Sequence, residues 1–185
     1  MYQITQWCHH FIKEHVHPGD FCIDATMGNG HDTTLLCQLV GSEGKVLAFD
    51  IQKLACENTQ KRLQEAGVPA NYQLILDSHS HMNQYADADS VNGIIFNFGY
   101  LPGGDHSLAT KASSSITAIE QGLTLLKKGG FISLCIYSGG DSGFEERDAL
   151  LSYLKELDHK KYLVILSSYY NRPKNPPIPV LIWKL

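Results

Sequence analysis

A glycine-containing turn with two acidic residues overlaps the end of the first apolar run. Residues 24–33 have the sequence DATMGNGHDT. Gly28 and Gly30 permit a tight turn and a close approach of a ligand to the backbone, and the N–H groups that open the next helix are free to bind it. Thr33 stands where the dinucleotide-binding fingerprint has its third glycine. The two aspartates suit a ligand with ammonium and sulfonium charges better than a pyrophosphate; a plain β–turn–α connection is the alternative.

Hydrogen-bond acceptors also follow the next two apolar runs. Asp50 ends the sequence VLAFD, 20 residues beyond Gly30, where a carboxylate can accept hydrogen bonds from two ribose hydroxyls. Asp77, Ser78 and His79 offer a side-chain acceptor and a backbone donor that suit an adenine edge. Solvated strand ends or turns are the alternative for both segments.

The segment 97–106, NFGYLPGGDH, carries many polar groups on a loop with two consecutive glycines. Asn97 supplies a carbonyl acceptor, and Tyr100 supplies a face on which a base can stack. Asp105 and His106 form a candidate acid–base pair. A purely structural loop has no need of this combination, so we expect a reaction pocket here.

Two later loops are less specific. Residues 137–143, YSGGDSG, border the site or form a plain loop. The proline-rich segment 171–177 carries Arg172 and Lys174. These two cations either contact phosphate groups or occupy a solvated hairpin tip.

The first residues of the chain form a separate polar cluster. Trp7, Phe11 and Ile12 are expected to face inward from an amphipathic helix. A zinc site would need three or four convergent ligands on one face, so we expect a polar surface instead. The polar members of the cluster are Cys8, His9, His10, Glu14, His15 and His17.

The apolar pattern alternates between short runs and longer amphipathic stretches. The short runs, rich in β-branched and aromatic residues, predict strands at 21–25, 45–50, 71–76, 93–98, 131–137, 162–170 and 179–185. The amphipathic stretches predict helices at 3–16, 32–40, 52–66, 113–128 and 143–157. Gly67 suits a left-handed helix cap, and Lys127 and Lys128 are expected in a last helical turn before Gly129.

Strands that alternate with helices predict an α/β fold with helices on both faces of a mostly parallel sheet. The linker between the last two strands is too short and too rich in proline for a crossover helix, so these strands are expected to form an antiparallel C-terminal hairpin. We expect seven strands in one domain, 1–185, with 1–17 as a leading helix. Ligands bind such sheets at the carboxyl ends of the strands.

Composition sets further limits. The chain has 185 residues, 43% hydrophobic and 18% charged, with a formal net charge of −4. This charge argues against unspecific coating of nucleic acid, but not against selection of one exposed nucleotide. The longest apolar run, 131–137, is too short for a membrane span, and the N-terminus has no apolar signal core. Five cysteines without a CxxC pair fit a reducing compartment, so a cytoplasmic protein without a metal or membrane partner is expected.

The motifs DATMGNGHDT, LDSHSHM and NFGYLPGGDH, together with Asp50, resemble a family of small bacterial methyltransferases that use S-adenosyl-L-methionine (SAM) and are labelled "putative rRNA methylases". The resemblance extends from the first strand to the C-terminus. It implies a Rossmann-like class I methyltransferase fold, SAM as cofactor, and a homodimer. The closer members methylate the 5-aminomethyl group of the wobble (2-thio)uridine in the tRNA anticodon loop, giving 5-methylaminomethyl-(2-thio)uridine.

The resemblance also implies residue roles. Asn97 with the loop to His106 would form the methyl-transfer pocket, and Asp50 would hold the ribose. Relatives tend to carry a Gly-His-x-Gly-Gly loop where residues 139–143 read GGDSG, so no histidine role transfers there. The expected cofactor-binding residues are Asp24, Thr26, Gly28, Asn29, Gly30, Asp32, Asp50, Gln52, Asp77, Ser78 and His79. The expected catalytic residues are Asn97, Tyr100, Asp105 and His106, and the expected RNA contacts are Gly103, Gly104, Arg172 and Lys174.

The chemistry requires a neutral amine held in line with an activated methyl group. Asn97 and Asp105 are expected to orient the amine, with His106 as the base and Tyr100 stacked on the uracil. Alternatives within the same class are methylation of rRNA or of a small molecule. A nucleotide-cofactor oxidoreductase or a non-catalytic SAM-binding protein are alternatives from other classes.

Overall fold

The computed structural model describes residues 3–99, 112–137, 143–173 and 175–185. These residues form a seven-stranded sheet with helices on both faces, as predicted. The strands are β1 (Phe21–Asp24), β2 (Lys45–Asp50), β3 (Tyr72–Leu76), β4 (Val91–Phe98), β5 (Leu126–Ile136), β6 (Tyr162–Leu166) and β7 (Ile178–Lys184). The helices are α1 (Ile4–His15), α2 (His31–Val40), α3 (Lys53–Ala66), α4 (Ala112–Leu125) and α5 (Gly143–Lys155), with a short 3₁₀ helix at His79–Gln84.

The strands are ordered β3-β2-β1-β4-β5-β7-β6 across the sheet. The first five are parallel, and β7 runs antiparallel to both of its neighbours, which confirms the predicted C-terminal hairpin. Since β6 is antiparallel to β7, it points in the same direction as β5. The carboxyl ends of β1 to β6 therefore share one edge of the sheet, called here the carboxyl edge.

Alternation along the strands divides the core between the two faces of the sheet. Ile94 and Phe96 of β4 pack with α4 and α5 in the larger hydrophobic cluster. Their neighbour Ile95 faces the other way, into the cluster that contains residues of α1, α2 and α3. Burial on both faces explains why these strands appear in the sequence as continuous apolar runs rather than alternating ones.

The leading helix α1 packs against the sheet through its apolar face. Phe11 and Ile12 are buried as predicted, and Trp7 is partly buried. The Phe11 ring meets the edges of Phe131 in β5 and Trp183 in β7, with centroids 5.2 and 5.1 Å apart. These contacts place Phe11 toward the amino ends of the parallel strands, and Cys8, one helical turn earlier, packs with Cys135 nearer the carboxyl edge.

The fourth predicted helix extends too far at its C-terminal end. Helix α4 ends at Leu125 and β5 follows without a loop, so Lys127 and Lys128 lie in the strand rather than in a last helical turn. The pairing of β5 with β4 changes register between Val91 and Gly93, which accommodates the additional residues in a bulge. Helical periodicity cannot reveal this pairing, because it depends on a distant strand.

The sixth strand is shorter than predicted. It ends at Leu166 rather than at residue 170, and Ser167 donates its backbone N–H to Pro179 in the last ladder contact, at 2.9 Å. The two tyrosines at 169 and 170 therefore belong to the linker before β7. The predicted cap at Gly67 is confirmed: its φ is 60°, and its N–H donates to the carbonyl of Gln64.

None of the helices in the described part of the chain combines the length and the apolar character that a membrane crossing requires.

Candidate active site

The turn after β1 depends on two glycines with left-handed backbone angles. Gly28 has a φ of 50° and Gly30 a φ of 78°. A Cβ atom on Gly30 would lie 2.9 Å from the Cα of Thr59 in α3, so the turn and the helix touch backbone to backbone. The Thr59 hydroxyl donates to the Gly28 carbonyl at 3.1 Å. The loop is thus pressed against α3.

Helix α3 also holds the residue between the two glycines. Asn58 donates from Nδ2 to the Asn29 side-chain oxygen at 3.0 Å, and Arg62 donates from Nε to the Asn29 carbonyl at 2.6 Å. Asn29 is therefore bound to the protein through both of its oxygen atoms. The predicted ligand contact of Asn29 is left to its donors, the backbone N–H and the side-chain NH₂.

Asp50 fastens the same turn to the end of β2. Its carboxylate accepts the N–H of Gly28 on one oxygen, at 3.1 Å, and the N–H of Gln52 on the other, at 2.9 Å. Burial raises the pKa of Asp50, and the backbone amides of Gln52, Gly28 and Ile51 oppose this rise. A carboxylate has about four acceptor positions, so each oxygen keeps one for a hydroxyl group. This geometry fits the two ribose hydroxyls expected from the sequence.

Asp32, in the first turn of α2, joins three elements of the fold. One carboxylate oxygen receives a hydrogen bond from Nε2 of His9 at 2.5 Å, and the other receives one from Nδ2 of Asn97 at 2.7 Å. His9 belongs to α1 and Asn97 to the end of β4. A carboxylate only accepts hydrogen bonds, so His9 must carry a proton on Nε2 and the Asn97 amide must turn its NH₂ toward Asp32. Among the described residues, none donates a hydrogen bond to the side-chain carbonyl oxygen of Asn97.

Asp24 lies beneath this group and is completely buried. It accepts hydrogen bonds from the hydroxyl of Thr33 at 2.6 Å and from the N–H of Thr26 at 3.2 Å. Burial, with a smaller contribution from the charge of Asp32, raises the pKa of Asp24 to about 7. Thr26 in turn accepts the backbone N–H of Asn97 at 2.7 Å. Asp24 and Thr26 therefore connect the carboxyl end of β1 to that of β4 by hydrogen bonds. Their predicted contacts with the cofactor stay predictions.

Asp77 is engaged mainly within its own segment. Its carboxylate accepts hydrogen bonds from the N–H of Ser78 at 2.7 Å, Nδ1 of His81 at 2.8 Å and the hydroxyl of Tyr85 at 2.9 Å. The bond from His81 is the main cause that lowers the pKa of Asp77. Three of about four acceptor positions are thus used, and one remains for a ligand.

His79 turns inward from the carboxyl edge. Its ring lies 6.1 and 6.0 Å from the rings of Phe96 and Phe98, and burial lowers its pKa to about 4, so it is neutral. Within the described residues its Nε2 atom is buried without a hydrogen-bond partner. Ser78 caps the 3₁₀ helix by accepting the N–H of Ser80.

Two exposed apolar side chains flank Asp50. The sequence analysis did not identify them as site residues. Ile51 is 50% exposed and Leu76, which pairs with Asp50 in the sheet, is 56% exposed. Two apolar groups of this size beside a ribose-binding carboxylate provide a surface for a flat aromatic ring. Their exposure could not be predicted, because similar residues in the neighbouring strands are buried.

The predicted polar surface of α1 is confirmed for His10 and Glu14, which are largely exposed and 3.4 Å apart. It is wrong for Cys8, which is buried, and for His9, which reaches Asp32. No spacing in the sequence indicates this contact, because it spans 23 residues and two packed helices. Within the described residues, no group of three His, Cys, Asp or Glu side chains is arranged to hold a metal ion.

The remaining predicted site residues fall into two groups. Arg172 lies in the linker before β7 and lines a surface cavity at the carboxyl edge. The others lie outside the described residues, so their roles stay predictions: Tyr100, Gly103, Gly104, Asp105, His106 and Lys174. The loop at 139–143 also lies outside them, except for Gly143 at the start of α5.

A glycine turn after β1, a carboxylate at the end of β2 and a strand β7 inserted antiparallel between β5 and β6 define a class I methyltransferase fold, whose cofactor is SAM. The acidic donor set fits this cofactor, because Asp32 and Asp50 face a cationic ligand more favourably than a pyrophosphate. The model of the family described as "Putative rRNA methylase" matches residues 46–183. The chain belongs to this family of SAM-dependent methyltransferases.

Solved structures of similar proteins support this assignment. A protein from Clostridium thermocellum described as a putative rRNA-methylase is 42% identical, with a TM-score of 0.96, and the match covers 100% of this chain and 99% of that one. The SMU.1697c methyltransferase of Streptococcus mutans, solved with S-adenosylhomocysteine (SAH), is 36% identical, with a TM-score of 0.89 and the same coverage.

A curated relative has a more specific name. The chloroplastic tRNA (mnm(5)s(2)U34)-methyltransferase of Arabidopsis thaliana is 33% identical over 181 residues, which is 93% of this chain. The match spans 66% of the plant protein, so this chain corresponds to about two thirds of that relative.

Replacing Gly30 by alanine is expected to destabilise the protein by about 1–3 kcal/mol and to weaken SAM binding. The new Cβ would be strained at a φ of 78° and would press against Thr59. Gly19→Ala is the matched control, because Gly19 has a φ of 88° but no atom within 4 Å of the added Cβ. Urea denaturation and calorimetric titration with SAM measure both effects. Equal losses in the two variants would contradict a role for the contact with α3.

The raised pKa of Asp24 predicts a pH-dependent stability. The unfolded pKa is about 4 and the folded pKa about 7, so the folded state holds an additional proton between these values. The free energy of unfolding should therefore fall as the pH rises from about 4 to about 7, by at most about 1.4 kcal/mol per pH unit. Asp24→Asn should lack this component, which urea titrations of both proteins across that range would show. Parallel pH profiles would contradict the prediction.

Removing the His9 side chain is expected to weaken SAM binding by about tenfold, because Asp32 loses one of its two anchors and a hydrogen bond to a charged group is worth about 1.5 kcal/mol. His9→Ala is compared with His10→Ala, which removes an exposed ring from the same helix. Calorimetric titration with SAM measures the difference. If the two variants bind SAM equally well, His9 does not support the site.

Proposed function

We propose that this chain transfers a methyl group from SAM to the 5-aminomethyl nitrogen of the wobble (2-thio)uridine, position 34 of tRNA, giving 5-methylaminomethyl-(2-thio)uridine. The observation that carries the proposal is the 33% identity with the plant tRNA (mnm(5)s(2)U34)-methyltransferase, which extends over nearly the whole chain. The arrangement of Asp32 and Asn97 at the carboxyl edge supports it, because methylation of an amine needs an acceptor that orients the nucleophile.

Asn97 is the orienting residue in this proposal. Bound SAM supplies a methyl group already activated by its sulfonium, so the protein has mainly to position the amine. The contact with Asp32 fixes the NH₂ of Asn97 and leaves its carbonyl oxygen to accept an N–H from the amine. That hydrogen bond directs the nitrogen lone pair away from Asn97 and toward the methyl group. His9 donates a hydrogen bond to Asp32 and so helps to fix the carboxylate that holds the Asn97 side chain.

The proton balance involves residues outside the described part of the chain. The amine has to be neutral when it attacks, so the ammonium form must first lose a proton. We propose Asp105 as a second orienting group and His106 as the base that accepts the proton. Tyr100 would stack on the uracil ring and hold the base in the pocket.

The cofactor contacts follow the geometry of the turn. Gly28 and Gly30 would contact the methionine part of SAM together with Asp32, and Asp50 would accept the ribose hydroxyls. Asp77, Ser78 and His79 would border the adenine, with Asp77 as the acceptor for its amino group. The apolar surface of Ile51 and Leu76 would support the purine ring.

A wobble base is compatible with an acidic protein. The anticodon loop is single-stranded, so the enzyme needs no duplex opening and few phosphate contacts to reach the base. The formal net charge of −4 is partly concentrated in the aspartates of the cofactor site, where it faces a cationic ligand. We propose that the protein acts as one domain in the cytoplasm, where tRNA is modified.

We also propose a homodimer, formed along the edge strand β6. Leu163, Ile165 and Leu166 of this strand are 43–50% exposed, and an edge strand presents unpaired backbone groups to a second copy. Apolar side chains exposed together on a sheet edge are typical of an interface between protein chains.

In vitro methylation tests the function directly. Purified protein with labelled SAM should methylate tRNA that carries 5-aminomethyl-2-thiouridine, and mass spectrometry of the nucleosides should show 5-methylaminomethyl-2-thiouridine. At saturating SAM, Asn97→Ala should lower the rate by about 10²-fold, because the orientation of the amine is lost. It should also weaken SAM binding about as much as His9→Ala does, because Asp32 loses its other anchor. Asn83→Ala, which removes an exposed amide from the 3₁₀ helix, is the matched control and should leave the rate unchanged.

The same assays separate an enzyme for another RNA, a SAM-binding protein that acts on no RNA, and an oxidoreductase. Transfer of label to rRNA but not to tRNA would assign the enzyme to another RNA. SAM binding without transfer to either RNA would leave a small-molecule methyltransferase or a non-catalytic SAM-binding protein. Binding of NAD but not SAM would indicate an oxidoreductase. In a deletion strain, an unchanged content of 5-methylaminomethyluridines in tRNA would contradict the wobble assignment.

A further inference from the structure

A surface cavity of about 370 Å³ lies between α5 and the linker that joins β6 to β7. Arg147 of α5 forms one wall, and Tyr169, Arg172 and Asn175 of the linker form the other. Three prolines of the linker, Ser168 and Ile178 complete the described lining. The cavity is called here the two-arginine cleft.

The topology brings the two-arginine cleft to the same edge of the sheet as the cofactor site. The linker leaves β6 at its carboxyl end, and α5 begins where the chain returns from the carboxyl end of β5. From β4, which ends beside Asn97, to β6 there are three strand spacings, or about 14 Å. A ligand that reaches from Asn97 to the cleft is therefore a chain several units long rather than a single nucleoside.

The charge of the cleft favours an anionic ligand. The described lining contains two arginines and no acidic residue. Arg147 is held in place by stacking on Phe144, with 4.9 Å to the ring centroid, and by an ion pair with the exposed Asp148. In the described part of the chain, the guanidinium of Arg172 has neither a hydrogen bond nor an ion pair with another side chain. A guanidinium carries a fork of donors that matches phosphate geometry.

Aromatic side chains accompany the two cations. Tyr169 lines the cleft, and its neighbour Tyr170 is fully exposed. Cations that follow a phosphate backbone, combined with aromatic rings on which bases stack, are typical of proteins that bind single-stranded nucleic acid. The prolines on both sides of Asn175 restrict the linker, so less conformational entropy is lost when a ligand binds.

We propose that the two-arginine cleft binds the sugar–phosphate backbone of a single-stranded RNA whose target base enters the site beside Asn97. The inference rests on the proposed RNA substrate and adds the surface that holds its backbone. Arg147 and Arg172 each contact a phosphate, and the exposed ring of Tyr170 stacks on a neighbouring base. The cleft thereby sets the direction in which the RNA strand crosses the carboxyl edge.

Fluorescence anisotropy with a labelled anticodon stem-loop RNA tests the cleft separately from catalysis. Arg147→Gln combined with Arg172→Gln should raise the Kd for this RNA about tenfold or more. The slope of log Kd against log salt should fall by about 1.4, since each phosphate contact to a single strand contributes about 0.7. SAM affinity should remain unchanged, because neither arginine contacts the cofactor turn.

The control variant carries Lys160→Gln and Lys161→Gln. It removes the same charge from two exposed lysines in the turn before β6, at the amino end of that strand and away from the carboxyl edge. It should change the Kd less than twofold. The single variant Arg172→Gln, which alters an exposed linker residue, preserves the test if the double variant fails to fold. Its expected effect is a smaller rise in Kd with a slope change of about 0.7.

The outcomes separate the two proposals. The proposal that the two-arginine cleft binds RNA is overturned if the arginine variants bind RNA as well as the wild type does, or if the wild type binds no RNA. RNA binding lost in the arginine variants supports it, even if the wild type methylates no tRNA and the proposed function fails. If the arginine variants lose RNA binding only because a dimer dissociates, as size-exclusion chromatography would show, the cleft contacts a second copy and the proposal is overturned.

Discussion

Several carboxylates converge at one edge of the sheet, and the structure around them depends on how their mutual repulsion is relieved. Asp24 ends β1, Asp50 ends β2 and Asp32 lies in the first turn of α2. Because β1 and β2 are parallel neighbours, their carboxyl ends lie side by side. Each is relieved differently: Asp24 by a raised pKa, Asp32 by His9 and Asn97, and Asp50 by two backbone amides. A cationic ligand removes the remaining repulsion, which is a physical reason for this edge to select a sulfonium cofactor.

The need to relieve this repulsion explains why the leading helix α1, which lies outside the βα units, contacts the site residues. Helix α1 supplies the His9 N–H that donates a hydrogen bond to one oxygen of Asp32. Helix α3 contacts Asn29 and Gly28, and these contacts keep the glycine turn in its left-handed conformation. The described part of the cofactor site is therefore held rigidly by these contacts, as expected for a preorganised site.

Local patterns in the sequence were sufficient for the fold and for the turn after β1. Buried strands between amphipathic helices specify the parallel sheet, and the two glycines of the turn have the positive φ angles that their type suggests. Long-range contacts were not predictable in this way. His9 reaches Asp32 only because α1 packs across α2, and the end of α4 is determined by the pairing of β5 with β4. Neither contact leaves a periodic signal in the sequence.

The insertion of β7 between β5 and β6 has a consequence for folding order. Strand β6 pairs only with β7, so the described sheet cannot be completed until residues 178–184 have left the ribosome. Until then β5 presents an open edge and the apolar side chains of β6 have no partner strand. The nascent chain thus passes through a stage in which two aggregation-prone strands are exposed, and the speed with which β7 docks determines how long that stage lasts.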